Sequence, residues 1–368
     1  MKVHTLNLVN YRNYSQLSLG LSSEINVFLG MNAQGKTNII EAVYYAALGR
    51  SHRTNTESDL IRWDTAAGSV RLDFTRLDVE NCLEFQFSQE KRRRILHNGR
   101  AIRTKELVGI LNAVLFSPED IFLIKGAPAG RRRFLDIEIS QASPSYYHEL
   151  VKYTHIVTQR NTLLKRIRER KAKASMLEIW DAQLAESASF IVKKRLESVK
   201  KLNMLANLMQ RRISANAENL SISYEFHHGE DKSMTEELLS WYNRKLRESV
   251  ELDILRGSTS VGPHRDDLIL EVNGINLRSF GSQGQQRTGV LALKLAELEF
   301  LRSETGEYPV LLLDDVMSEL DSQRREQLLM FMKKEKIQTL ITATDQSYFP
   351  SEPIGCYYHV EAGRVSMR

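Results

Sequence analysis

Cysteine is almost absent: Cys82 and Cys356 are the only two in 368 residues. They form neither a disulfide framework nor a CxxC metal site, and two lone thiols suit a reducing cytoplasm. Long apolar runs are missing too. No stretch approaches the roughly 18 consecutive apolar residues of a membrane-spanning helix, so no membrane role is expected. Met1-Lys2-Val3-His4-Thr5-Leu6 offers one basic residue but no apolar core or small-residue cleavage site; it reads as an edge strand rather than a secretion signal. Between Arg131 and Ile254 there is one proline, Pro144, and one glycine, Gly229, so little interrupts a helix there. Repeats and low-complexity tracts are also lacking.

Charge is present but uneven. The segment Arg131–Arg212 holds 18 Lys/Arg against 8 Asp/Glu, a surplus of +10 in a chain whose net charge is only +5. A cationic segment on a mildly acidic body points to a polyanionic partner, or else to a solvated helical face.

The pattern predicts an α/β fold in three stretches. Residues 1–129 are strand-rich and punctuated by glycine. Glu24–Leu29 reads as a buried strand, Val70–Thr75 and Leu83–Phe87 alternate as half-buried strands, and Asn98-Gly99 marks a tight hairpin. Residues 130–254 read as a helical insertion. Apolar stripes through Tyr153–Ile167 and Trp180–Met209 predict two long antiparallel helices with the basic run Lys165–Lys173 near their tip. Residues 255–368 return to strands: a hairpin at Asn273-Gly274, and buried strands at Val310–Leu313 and Thr339–Thr342. Helices about Gln286–Arg302 and Gln323–Lys334 flank them, which favours a largely parallel sheet. One head built from both chain ends, interrupted by a helical lobe, is the economical arrangement.

Gly30-Met31-Asn32-Ala33-Gln34-Gly35-Lys36-Thr37 matches GxxxxGK[ST], with an apolar strand before it and the helix-like run from Asn38 after it. Glycines let backbone N–H groups converge on phosphate oxygens. Lys36 supplies charge for the β/γ-phosphates and Thr37 a hydroxyl for Mg2+. The following helix N-terminus adds positive potential. The partner motif is Val310-Leu311-Leu312-Leu313-Asp314-Asp315, an apolar strand ending in two acids. Asp314 is placed to hold Mg2+ and Asp315 to polarise an attacking water.

Gly281-Ser282-Gln283-Gly284-Gln285-Gln286-Arg287 resembles the LSGGQ signature of ATP-binding cassettes, where Ser and Gly at a helix start grip the nucleotide of an opposite subunit. The plainer reading is a Ser/Gly N-cap. Ser318-Glu319-Leu320-Asp321 resembles the D-loop that crosses a dimer interface. More specific are Val9-Asn10-Tyr11-Arg12-Asn13-Tyr14, Asn32–Asn38 with Glu41-Ala42, Phe116-Ser117-Pro118-Glu119-Asp120, Lys125-Gly126-Ala127-Pro128, Arg131-Arg132-Arg133-Phe134-Leu135-Asp136 and Gly262-Pro263-His264-Arg265-Asp266-Asp267. Together they resemble the RecF family of SMC-like ABC ATPases, end to end and most densely in the head.

That resemblance implies a P-loop ABC-type head with a helical arm, ATP and Mg2+ as cofactors, and slow, DNA-stimulated hydrolysis. It implies ATP-dependent homodimerisation on double-stranded or gapped DNA. The implied partners are RecO and RecR in loading recombinase, and the implied location is the cytoplasm and nucleoid. Ser282, Gly284 and Gln285 become trans-acting nucleotide contacts. Asp315 stands where many cassettes have glutamate, and Thr344-Asp345 where transporter cassettes place histidine; both imply slow turnover. The expected Q-loop lies within Asn112–Asp120, since Gln141 is too distant. DNA candidates are Arg92, Arg93 and Arg94 after Lys91; Arg131, Arg132 and Arg133; and Lys165, Arg166 and Arg168 in the lobe, although each run taken alone reads more readily as solvated surface. His264 and Arg265 read as part of a structural turn or as a nucleotide or interface contact. A transporter ATPase subunit has no use for the basic lobe, and a non-hydrolysing DNA scaffold is the remaining alternative.

Overall fold

The computed structural model describes residues 1–227 and 237–367; Gly229 lies outside them. The first stretch supplies β1 (Lys2–Tyr11), β2 (Tyr14–Gly20), β3 (Ile25–Leu29), α1 (Lys36–Leu48), β4 (Ala67–Arg76) and β5 (Val79–Ser88). It continues with β6 (Arg94–His97), β7 (Arg100–Ile102), α2 (Thr104–Leu107) and β8 (Ala113–Phe116). The middle holds α3 (Phe122–Lys125), α4 (Pro128–Ala142), α5 (Pro144–Arg168), α6 (Leu177–Ile213), β9 (Leu220–Glu225) and α7 (Leu238–Arg256). After them come β10 (Asp267–Val272), β11 (Ile275–Asn276), α8 (Leu277–Phe280) and α9 (Gln283–Thr305). The end supplies β12 (Val310–Asp314), α10 (Ser322–Lys334), β13 (Thr339–Ala343), β14 (Cys356–Glu361) and β15 (Arg364–Met367). Two compact units result, one of Met1–Asp120 with Lys294–Arg368, the other of Ile121–Leu293.

In the first unit a six-stranded sheet runs β15-β14-β3-β13-β12-β8, parallel except for the edge strand β15. Every residue of β3 and β13 is buried, which is why these strands read as continuous apolar runs. The order matters for function. Because β13 lies between β3 and β12, it sets the carboxyl end of the strand feeding the glycine loop one strand away from the acids ending β12. A second, antiparallel sheet runs β2-β1-β4-β5-β6-β7. Helix α1 packs against strands of both sheets and is buried almost all round, as an apolar helix between two layers must be. The Asn98-Gly99 turn joins His97 to its cross-strand partner Arg100 with φ of 49° and 79°, the left-handed pair that a primed hairpin turn demands.

In the second unit α5 and α6 are antiparallel: Ser187 reaches Glu149, and Arg160 pairs with Asp181. The connecting turn carries the exposed Arg170, Lys171 and Lys173. The expectation of helix alone before residue 255 is corrected by β9, which pairs antiparallel with β10 in the register Leu220↔Val272. The alternation Leu220-Ser221-Ile222-Ser223 with Leu220 and Ile222 buried marks a strand. Its neighbour in the sheet comes from much later in the chain, so no local hairpin signal announces it.

Candidate nucleotide-binding site

The glycine loop is shaped by close approach. A Cβ on Gly30 would fall 2.2 Å from the Val360 carbonyl oxygen, and Gly35 sits at φ 113° against Asn13 and Tyr14. Helix α1 begins at Gly35 with no side-chain cap and no acid in its first turn, so its leading N–H groups keep their capacity for an anion. Met31, Asn32 and Ala33 are exposed along the loop rim, Gln34, Thr37 and Asn38 are half-buried, and Lys36 is buried.

Around this loop the acids converge. Lys36 Nζ donates to the carbonyls of Gly30 at 2.6 Å and Met31 at 2.8 Å. Burial lowers the Lys36 ammonium pKa, opposed by the charges of Asp315 and Asp314. Thr37 Oγ1 donates to Asp314 Oδ1 at 2.9 Å, and Thr342 Oγ1 donates to the same oxygen at 2.7 Å. Asp315 adopts φ 55°, its N–H donates to Thr342 Oγ1 at 2.9 Å, and its Oδ1 is buried with no hydrogen-bond partner among the described residues. Burial raises the Asp315 carboxyl pKa, with Asp314 and Glu319 adding to the effect and Lys36 opposing it. A hydroxyl and a carboxylate meeting at one point beside an unpartnered carboxylate oxygen form an oxygen-donor set suited to a hard cation such as Mg2+.

Sequence reading missed Thr342, the residue that holds both acids; its signal was a polar residue closing the apolar run of β13. The plainer reading of Ser282 is visible in the second unit: its Oγ accepts from Gln285 N, and the Gln285 side chain accepts from Ser282 N, a reciprocal cap at the start of α9. Gln285 also donates to Glu218, while Ser282 and Gly284 are exposed.

The basic candidates separate. Arg131 is withdrawn from the surface: it is 4% exposed and donates from Nε and Nη2 to both oxygens of Asp267 at 2.8 and 2.7 Å. Arg93 is likewise committed inward, to the Tyr45 hydroxyl, the Gly49 carbonyl and Glu57. These two are corrected from phosphate contacts to structural anchors. Arg132, half-buried, donates to the Asp266 carbonyl. Arg92, Arg94, Arg133, Lys165, Arg166 and Arg168 are exposed. His264 and Arg265 both donate to the Thr259 carbonyl, which places them in a structural turn.

The RecF/RecN/SMC N-terminal domain model matches residues 2–358. The chain belongs to the RecF family. Among its relatives, the DNA replication and repair protein RecF of Halothermothrix orenii is 44% identical over 348 residues, covering 94% of this chain and 92% of that one. RecF of Acetivibrio thermocellus is 42% identical over 372 residues, covering 99% and 100%. Among solved structures, the recombination mediator RecF bound to ATP, described as part of the RecFOR pathway, superposes with a TM-score of 0.92 at 37% identity. That match covers 100% of this chain and 97% of the other. An SMC head domain from Pyrococcus furiosus shares the fold, with a TM-score of 0.58 at 16% identity. The fold is therefore the α/β head of SMC-like ABC ATPases with a long helical insertion.

The RecF-like stretch Arg12-Asn13-Tyr14 now has a physical role. Arg12 grips the buried carboxylate of Glu41 on α1 with two hydrogen bonds of 2.8 and 2.6 Å. Burial alone would raise that carboxyl; hydrogen bonds from Arg12 and Ser51, with the charges of Arg12 and Arg53, hold it below its ordinary value. Asn13 donates to the Gln34 carbonyl and accepts from Asn38, and the Tyr14 hydroxyl donates to the Gly35 carbonyl. From the other side, the β14–β15 turn donates through Ala362 N and Gly363 N to Gln34. The loop is braced on both flanks, which preorganises it for phosphate.

Proposed function

We propose that the chain is an ATP-dependent DNA-repair switch: ATP binding joins two copies on duplex or gapped DNA, and slow hydrolysis releases them. The observation that carries this reading is the meeting of Lys36, Thr37, Asp314 and Asp315 at one braced loop. The backbone N–H groups of residues 32–37 receive the phosphates, and Lys36 neutralises their charge. Thr37 and Asp314 hold Mg2+, which supplies Lewis-acid stabilisation of the phosphoryl oxygens. Asp315, with its raised pKa and an unpartnered oxygen, orients and polarises the attacking water.

Ser282, Gly284 and Gln285 act on the nucleotide of a second copy, so the homodimer is the hydrolytic unit. The exposed arginines and lysines supply sequence-independent, salt-dependent phosphate contacts; hydrolysis is slow, with Asp315 in place of the longer glutamate of many cassettes, and is stimulated by DNA. The place of the solved RecF relatives in the RecFOR pathway supports RecO and RecR as partners in loading recombinase at gaps, in the cytoplasm on the nucleoid. Among the described residues no helix is long and apolar enough to cross a membrane.

The test is molecular mass in solution with and without ATP-Mg2+ and a short duplex, at two salt concentrations. A shift from the 42.3 kDa monomer to a dimer that requires ATP, grows with duplex and weakens with salt supports the switch. Ser282→Arg then binds ATP as a monomer but does not dimerise. A mass indifferent to ATP, with DNA binding unchanged, replaces the switch with a scaffold.

A further inference from the structure

Trp63 is the most exposed large apolar side chain of the first unit, with 90% of its surface open to solvent. Both faces of so open an indole are free to stack on another flat group. Its backbone is not loose. Arg62 N donates to the Asn10 carbonyl, Tyr11 bridges to Ile61, and Thr65 closes the turn through N and Oγ1, both donating to the Arg62 carbonyl. The ring is held out on a fixed turn.

A second turn lies beside the first. Gln89 donates from its N–H to the Ala66 carbonyl at 3.1 Å and from Nε2 to the Thr65 carbonyl at 3.0 Å. Ser88 Oγ accepts from the N–H of Glu90 and of Lys91 and shapes this turn. Immediately after it, Arg93 is bound inward to Tyr45, Gly49 and Glu57, and so fixes the segment while its neighbours Arg92 and Arg94 stay exposed. The acids of the two turns, Asp64 and Glu90, are outnumbered by Arg62, Lys91, Arg92 and Arg94.

We propose that Trp63 and the adjoining Lys91–Arg94 segment form a stacking platform for unpaired bases of single-stranded DNA. An open aromatic face stacks on any base, and flanking cations neutralise the phosphates on either side of it; single-strand binding without sequence preference needs this pairing. Paired bases inside a duplex offer no free face to the ring, so the platform distinguishes the single-stranded part of a gapped substrate from its duplex flanks. The proposal rests on the DNA-binding reading above and adds a site to it.

Tryptophan emission tests it in the full-length protein with ATP-Mg2+. Trp63 is exposed, whereas Trp241 is buried and Trp180 half-buried. Titration with a 20-nucleotide oligo-dT is expected to quench the emission saturably. Trp63→Ala is expected to abolish the quench and weaken oligo-dT binding about ten-fold, while Trp63→Phe retains most of the affinity. Binding of a blunt duplex of the same length, and the basal ATPase rate, stay unchanged in both variants. Duplex binding intact with oligo-dT affinity equal in wild type and Trp63→Ala overturns the platform alone. Absence of binding to either DNA overturns the DNA-binding reading with it.

Discussion

Thr37 Oγ1 and Asp314 Oδ1 are hydrogen-bonded at 2.9 Å although 277 residues separate them in the chain. Thr342, opposite Asp314 in the β12–β13 register, completes the arrangement by donating to the same oxygen and accepting from Asp315 N. Thr342→Val keeps the shape and β-branching of the side chain but removes both bonds. The Mg2+ concentration for half-maximal ATPase is expected to rise about ten-fold, the usual cost of losing an outer-shell support, with nucleotide affinity in the absence of Mg2+ unchanged. A Mg2+ titration of the rate identical to wild type would show that Thr342 has no such role.

Lys36 is buried and its ammonium fits between two loop carbonyls. Arginine keeps the charge but spreads it over a planar fork that the loop does not accommodate. Lys36→Arg is expected to retain weak nucleotide binding, measured with a fluorescent ATP analogue, and to lose hydrolysis by about 100-fold or more. Unchanged turnover would refute the assignment of this loop.

The site was legible in the sequence where chemistry forces residue type and spacing together. Gly30, Gly35, Lys36 and Thr37 fall within eight consecutive residues, and the acids follow a strand whose burial on both faces shows as uninterrupted Val-Leu-Leu-Leu. Thr342 and β9 were not legible. Each gets its meaning from a partner brought in by the fold, and neither a lone threonine nor a short alternation specifies that partner. The arginine runs misled for a related reason. Charge alone reads the same in Arg131, sealed against Asp267, as in Arg133, which faces solvent.

That contrast gives a paired test. Arg131→Ala removes the two-point partner of Asp267, whose side chain is 13% exposed, and leaves that carboxylate the Leu268 N–H and the nearby charge of Arg132. The expected cost is about 3–5 kcal/mol, whereas Arg133→Ala is expected to stay within about 0.5 kcal/mol. Denaturant unfolding followed through the buried Trp241 separates the two. Equal stability of the variants would show that the Arg131–Asp267 pair is not structural.

His264 is expected to make the second unit sensitive to acid. The Thr259 carbonyl can only accept, so Nε2 carries the proton and Nδ1 is left to accept from the Tyr153 hydroxyl. The turn is tight: Gly262 sits at φ 138°, and a Cβ there would fall 2.3 Å from the Tyr153 oxygen. Burial pushes the imidazole down to about 4, helped by the charges of Arg265, Arg132 and Arg195 and opposed by the bond to Thr259. The unfolded chain therefore takes up a proton at its ordinary value near 6.5, before the folded chain does. Stability from this group is complete above about pH 6.5 and is lost as pH falls toward about 4. The loss is on the order of 3 kcal/mol at most. His264→Gln is expected to start less stable at neutral pH and to show a shallower decline across that interval. Denaturant midpoints at pH 7, 6, 5 and 4.5 measure it. Parallel curves for variant and wild type would assign the acid sensitivity to other groups.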